Sequence, residues 1–471
     1  MNPSSSVLFS SETVQGSVSA AAAPGLFWCW PFALLLLAIA VFPLVPRLSH
    51  WWESNRSKLA VSAVLAAVVC AYYFLRAQDG DAPHGAAAVT AMLHHSIIND
   101  YIPFIILLFS LYTISGGIRL SGDIPAHPAT NAGFLLLGAV LANVIGTTGA
   151  SMLLVRPLLQ INSERRHTTH TFVFFIFLVS NIGGCLLPIG DPPLFLGYLR
   201  GVPFLWTLRL FPLWIVTVAA VLAVYVVLEI IAYRKEGPWD IQQDETQVTP
   251  LRLDGRFNFA LLAGVVLAVA VLVPGAKLPG TSWTVPNVYL REVVLLALSG
   301  WSLLRTPRDI HRYNEFSFGP IAEVACLFLG IFITMQIPIE ILRAQGAALG
   351  ITSPVQFFWA SGSLSSFLDN APTYVVFFEL AGALPSNGAP ALGGLATATG
   401  QVPLSLLMAI SAGSVFMGAN TYIGNGPNFL VKSIAESRGV RMPGFLGYMV
   451  YSALILLPVF GVISLVFFRQ P

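Results

Sequence analysis

Two aspartates stand where an apolar chain should have none. Asp191 lies in SNIGGCLLPIGDPPLFL (180–196), within a hydrophobic run from 172 to 198 that is long enough for one membrane helix. Asp369 lies in SSFLDNAPT (365–373), also flanked by apolar residues. An ionisable group in hydrocarbon is costly unless it meets a partner, a proton or a cation. Neutral oxygens accompany both: Asn143, Thr147 and Thr148 in LANVIGTTGAS (141–151), Asn181, Asn370 and Thr373, then Asn420 and Asn425 in GANTYIGNGPNFL (418–430). Hard cations prefer oxygen ligands. The expected chemistry is reversible binding of Na⁺ or H⁺, with a transported Na⁺ at Asp191 and Asp369. No catalytic residue is expected, and no cofactor beyond the coupling ion.

The elements that hold these groups are marked by helix breakers. The first stretch carries Gly183, Gly184, Gly190, Pro192 and Pro193; the second carries Gly424, Gly426 and Pro427. Glycine and proline weaken a helix, and irregular backbone at membrane depth survives only beside protein or a water-filled cavity. Each stretch reads as a broken helix around a binding site. IGDPPLFL (189–196) and IGNGPNFL (423–430) match at five of eight positions, 234 residues apart; the same shift pairs Ser180 with Ser414 and Gly184 with Gly418. A second reading exists for Asp191-Pro192, since aspartate favours the N-cap and proline the first helical position. Asp191 then only starts a half-helix, and Asn425 does the same in the other copy.

The chain has 471 residues, 56% hydrophobic and 10% charged. With a mean hydropathy of +0.75, it reads as an all-α polytopic membrane protein. There is no Walker A pattern and no paired-cysteine motif. The four cysteines, far apart in apolar runs, read as packing residues. Residues 1–25 read as a flexible tail. A first repeat, 26–233, holds a re-entrant hairpin at 131–155 and a broken helix at 170–199. The polar segment 234–256 reads as a cytoplasmic linker. The second repeat, 257–471, holds a hairpin at 353–380 and a broken helix at 403–434. The hairpin arms read as near ten residues each, against the ~20 a spanning helix needs. Asn99, Asp100 and Pro103 are expected to start the third span at 101, after a hydrated loop with His94 and His95. Glu323 and Glu379, in apolar runs, read as packing or interface groups.

Each half then has five crossings and a hairpin. Five is odd, so the halves are inverted relative to one another. Placing both termini outside puts Arg47, Arg56, Lys58, Arg119, Arg156, Arg165, Arg166, Arg234, Lys235, Arg252, Arg256, Arg305, Arg308, Arg312, Lys432, Arg438 and Arg441 inside. That is most of the 24 Lys and Arg residues, the bias of a multi-pass protein of a bacterial inner membrane.

SNIGG…PIGDPP, the NVIGTTGAS tip, SSFLDNAPT and GANTYIGNGPNF resemble the ion transporter superfamily. It includes arsenite-pump membrane subunits, D-type sodium/proton antiporters, and citrate and dicarboxylate transporters. The resemblance covers 101 to the C-terminus and is nearest the bacterial sodium:proton antiporter or citrate transporter group. It implies two inverted repeats and often a homodimer. In the dicarboxylate branch, Ser-Asn-Thr tips bind sodium and carboxylate; here the tips read Ala142-Asn143-Val144 and Asp369-Asn370-Ala371. The expected function is secondary transport, with cation/proton antiport first and Na⁺- or H⁺-coupled citrate or dicarboxylate uptake second; arsenite or another anion comes after these. The expected partners are membrane lipid and a small ion or carboxylate, not nucleic acid. Asn143, Asp191, Asp369, Asn370 and Asn425 are expected to converge on one midplane site.

Overall fold

The structure, a computed structural model, describes residues 24–76, 83–278, 280–286, 289–384 and 394–469. The expected tail 1–25 lies almost wholly outside them.

Its side chains are arranged as a lipid-facing protein requires. Apolar residues crowd the outer faces, as at Leu446, Val450, Leu454 and Leu457 along the last helix, while Ser180, Asn181, Asn370 and Thr421 are fully buried. In hydrocarbon, polar groups are satisfied only inside the bundle.

Three helices open the chain: α1 (Trp30–Val41), α2 (Pro46–Trp52) and α3 (Asn55–Leu75). Next, α4 (Ala86–Leu93) and α5 (Ile102–Gly116) join through a π-helical stretch, His94–Tyr101, into one rod. The expected loop and helix start at 101 are therefore corrected. Pro103 removes a donor and crowds the carbonyl four residues back, and the wider π turn ahead of it gives the ring room without ending the helix.

α6 (Pro128–Ile145) and α7 (Thr147–Ile161) fold back on one another at Gly146. Gly146 has φ +76°, a conformation that glycine adopts freely. Asn131 and Asn162 close the open end by donating to each other, both at 2.9 Å. The arms are 18 and 15 residues long, more than the ten expected, because Ala142, Asn143 and Val144 continue the helix to its tip. The chain then runs through α8 (Thr169–Leu178), a 3₁₀ turn at Ile182–Cys185, α9 (Pro192–Leu199) and α10 (Phe211–Tyr233).

The segment expected as a linker is ordered. α11 (Pro238–Thr246) docks through Asp244, which accepts the Ala126 N–H at 3.1 and 2.9 Å. β2 (Thr249–Asp254) pairs antiparallel with β1 (Arg119–Asp123), Leu120 opposite Leu253. A second ribbon joins β3 (Gly394–Thr397) to β4 (Gly400–Pro403). These two ribbons are the departure from an all-α fold among the described residues.

The rest is helical: α12 (Phe257–Val271), α13 (Leu290–Arg305), α14 (Arg308–Tyr313), α15 (Gly319–Thr334) and α16 (Gln336–Gln345). α17 (Pro354–Phe367) and α18 (Asn370–Ala383) flank the second tip. α19 (Leu404–Met417), a 3₁₀ turn at Gly418–Asn420, α20 (Gly426–Ser437) and α21 (Phe445–Phe467) complete the chain. Among the described residues, six helices are long and apolar enough to cross a membrane, or seven if α1 and α2 form one bent span. Ten crossings were expected. The difference comes from interrupted or shorter apolar helices such as Thr169–Cys185, Phe257–Val271 and Leu404–Asn420.

Candidate cation site

The two broken helices are pinched in the same way. A Cβ on Gly190 would lie 2.4 Å from the Gly184 carbonyl oxygen, and a Cβ on Gly424 would lie 2.6 Å from that of Gly418. Neither gap admits a side chain, so each interruption closes on itself through a glycine pair. Asp191 and Asn425 follow these pinches in extended conformation and stand at the N-caps of α9 and α20.

Position does not make Asp191 a cap. Its side chain accepts no bond from the first turn of α9; it turns away into the protein, where it is 1% exposed. Oδ1 accepts from Thr147 Oγ1 at 2.9 Å and Asn425 Nδ2 at 3.3 Å, and Oδ2 accepts from Asn370 Nδ2. Among the described residues no Lys or Arg forms an ion pair with it. Three neutral donors from three elements thus hold one buried carboxylate.

The surrounding polar groups form a continuous chain. Asn425 Nδ2 also faces the Ser180 carbonyl at 3.1 Å and Asn181 Oδ1 at 3.2 Å. Asn181 Nδ2 donates to Asn428 Oδ1 at 2.7 Å, and Asn428 Nδ2 donates to the carbonyls of Gly418 and Thr421. These side chains satisfy backbone that the helix breaks leave open. Asn370 Oδ1 is buried and has no donor, so one acceptor oxygen stands free beside the carboxylate.

The other expected residues are spread around this centre. Asn143 Oδ1 accepts the Leu186 N–H at 2.7 Å and so holds the first break rather than Asp191. Asp369 caps α18 by accepting the Ala371 N–H at 3.0 Å and makes no hydrogen bond to Asp191, which its neighbour Asn370 reaches instead. Thr373 donates to the Asp369 carbonyl on its own helix. Asn420 donates to Ser366 Oγ at 2.9 Å. Thr148 lines a cavity of about 80 Å³ with Thr147, Gly190 and Pro192, enough for a few waters. The expected five-residue convergence therefore narrows to Asp191, Asn370 and Asn425, with Thr147 and Asn181 added. Asn143 instead donates to the Ala139 carbonyl and accepts the Leu186 N–H, and Asp369 accepts the Ala371 N–H.

Of the breakers, Gly183, Gly184, Pro193 and Pro427 are buried, while Gly426 is exposed with open space around it. Gly426 therefore carries no packing constraint.

Asn428 escaped the sequence reading. It replaces Leu194 in the aligned copy, and a polar residue there was the available signal. Arg200, one residue past α9, was also missed. Its guanidinium bridges Asp100 at 3.2 Å and Glu379 at 3.3 Å, and Arg343 meets Glu379 at 2.9 Å. Glu323 pairs with Lys58 at 2.7 Å. Glu323 and Glu379 are thus neutralised by cationic side chains, whereas Asp191 and Asp369 have no Lys or Arg ion pair among the described residues. The four cysteines are free thiols.

Interrupted apolar helices meeting at a buried carboxylate define a multi-pass membrane transporter. The chain belongs to the family described as "Putative citrate transport", which matches residues 21–468, and through it to the ion transporter superfamily. No curated protein matches it.

Proposed function

We propose that this protein carries citrate, or a closely related carboxylate, across the membrane together with a coupling Na⁺ or H⁺ held at Asp191. The observation that carries the reading is the Asp191 carboxylate itself: buried, bonded by three neutral donors and without a cationic partner. A charge so placed is stable only with a proton or cation. The free Asn370 oxygen and the Ser180 carbonyl offer further ligands of the kind a hard cation takes. The family's description, "Putative citrate transport", supports citrate as the substrate. Citrate carries nearly three negative charges at neutral pH and is repelled by Asp191 until the ion has bound, which makes ion loading the first step.

A second reading is cation/proton antiport, with Na⁺ and H⁺ competing for Asp191. The small cavity at Thr147 and Thr148 favours it, being sized for a partly hydrated ion rather than a tricarboxylate. In both readings the halves 26–233 and 257–471 are inverted about this site, with 234–256 cytoplasmic and both termini outside. The equivalent pinches at Gly184/Gly190 and Gly418/Gly424 support that arrangement.

Purified protein in liposomes separates the two. Uptake of labelled citrate is followed with and without a Na⁺ or pH gradient, and internal pH is followed as Na⁺, Li⁺ or K⁺ is added. Gradient-driven citrate accumulation supports the first reading. Cation-dependent collapse of the pH gradient without citrate movement replaces it with the second.

A further inference from the structure

A cavity of about 640 Å³ opens at the base of the first hairpin, lined by Arg156, Arg165, Arg166, Arg438 and Arg441 and by no acidic side chain. The carboxylates that grip these arginines stand outside its wall. Glu315 meets Arg156 at 3.1 Å and Arg438 at 3.9 Å, Asp240 meets Arg166 at 2.9 Å, and Glu229 and Glu236 hold Arg165. Arg441 forms no ion pair among the described residues. Arg156 and Arg165 are 8% and 7% exposed, yet Arg156 Nη1 and Arg165 Nη2 have no acceptor. A buried guanidinium with an unmet donor is costly. Two such donors on residues that line a cavity with five arginines and no carboxylate favour an anion there.

The cavity also has a telling place. Arg156 lies nine residues beyond Thr147 on α7, about 13 Å along the helix, so it is separate from Asp191. α7, α8 and α20 carry Thr147, the Ser180–Asn181 break and Asn425, and the far end of each reaches this cavity.

We propose that this cavity binds a small, multiply charged oxyanion through Arg156, Arg165 and Arg441, and that occupancy clamps the far ends of the three elements that build the Asp191 site. Guanidinium forks match carboxylate and phosphate geometry alike. Two sources share this chemistry: the tricarboxylate substrate paused on its way to Asp191, and a phosphorylated regulator.

Calorimetric titration of the full-length protein in detergent tests it, with citrate and pyrophosphate as probes and acetate as the monoanion control at fixed ionic strength. The Asp191→Asn variant is used beside the wild type, so that binding at the ion site is not counted. Saturable one-to-one binding of citrate or pyrophosphate is expected in both proteins, and binding about tenfold weaker in Arg156→Gln and in Arg441→Gln. Arg441→Gln disturbs no ion pair, so it reports even if Arg156→Gln folds poorly. Tighter citrate identifies the substrate as occupant, and tighter pyrophosphate identifies a regulator. The proposal falls if neither anion binds saturably to Asp191→Asn, or if both arginine variants bind like the wild type. Failure of citrate transport with this binding intact overturns only the proposed function.

Discussion

Asp191 Oδ1 and Asn425 Nδ2 lie 3.3 Å apart although 234 residues separate them in the chain. That number is also the offset between the two IG-x-x-P-x-FL motifs. Equivalent positions of two similar stretches thus touch each other, one charged and one neutral. The pair places a single negative charge where two would repel.

Asp191→Asn removes that charge and keeps a side chain of the same shape. The expected outcome is loss of at least about 99% of ion-coupled transport in liposomes, with membrane insertion and gel-filtration profile unchanged. Normal transport by this variant means that the residue is only structural.

Asn425→Leu deletes the donor that spans Ser180, Asn181 and Asp191. Breaking a buried hydrogen bond to a charged group costs about 1.5–3 kcal/mol. A lower melting temperature is expected together with an apparent Na⁺ or H⁺ affinity weakened about tenfold or more. Unchanged ion dependence shows that Asn425 supports the break and not the ion.

Gly190→Ala places a methyl group 2.4 Å from the Gly184 carbonyl oxygen, whereas a Cβ at Gly426 meets nothing within 4 Å. Overpacking of this kind costs about 1–3 kcal/mol. Gly190→Ala and Gly424→Ala should both lower the melting temperature in detergent, and Gly426→Ala should leave it within error. Equal effects at all three positions are incompatible with the pinched geometry.

Glu229 is fully buried and accepts from Arg165, His170 and Asn131. Glu229→Gln takes the nearer of two carboxylates from the buried Arg165 and leaves only Glu236 at 3.6 Å, a loss of up to about 3–5 kcal/mol. The yield of folded protein should fall sharply. Transport per folded molecule should keep its ion dependence, because this cluster stands at the hairpin base.

Asp244 lies outside the spanning helices, and burial raises its pKa above the ordinary 3.8 despite the Ala126 N–H. A raised folded value means that the folded state holds the proton more tightly. The stability this group contributes is full below 3.8 and is lost as pH rises through the raised value. Asp244→Asn should therefore flatten the rise of melting temperature on acidification through that window, as read by scanning fluorimetry.

The sequence by itself determined the class, the broken helices and the residue types at the site. Charged groups and paired breakers in a 56% hydrophobic chain have few other physical explanations. It also located the first fold-back within 141–151 and the second tip within 365–373, while the structure put the first turn at Gly146. It could not decide whether Asp191 caps α9, because a cap and a ligand have the same residue in the same place. Only the direction of the side chain separates them, and that is set by Thr147 and Asn370 arriving from the two hairpins. Nor could it show that Glu379 and Glu323 are neutralised, since Arg200 and Lys58 reach them across 179 and 265 residues of chain. Local spacing fixes which face of a helix a group occupies; which charge waits opposite is a matter of long-range packing. By that route Asp191 and Asp369 were left without a counter-charge among the described residues, while Glu323 and Glu379 found one.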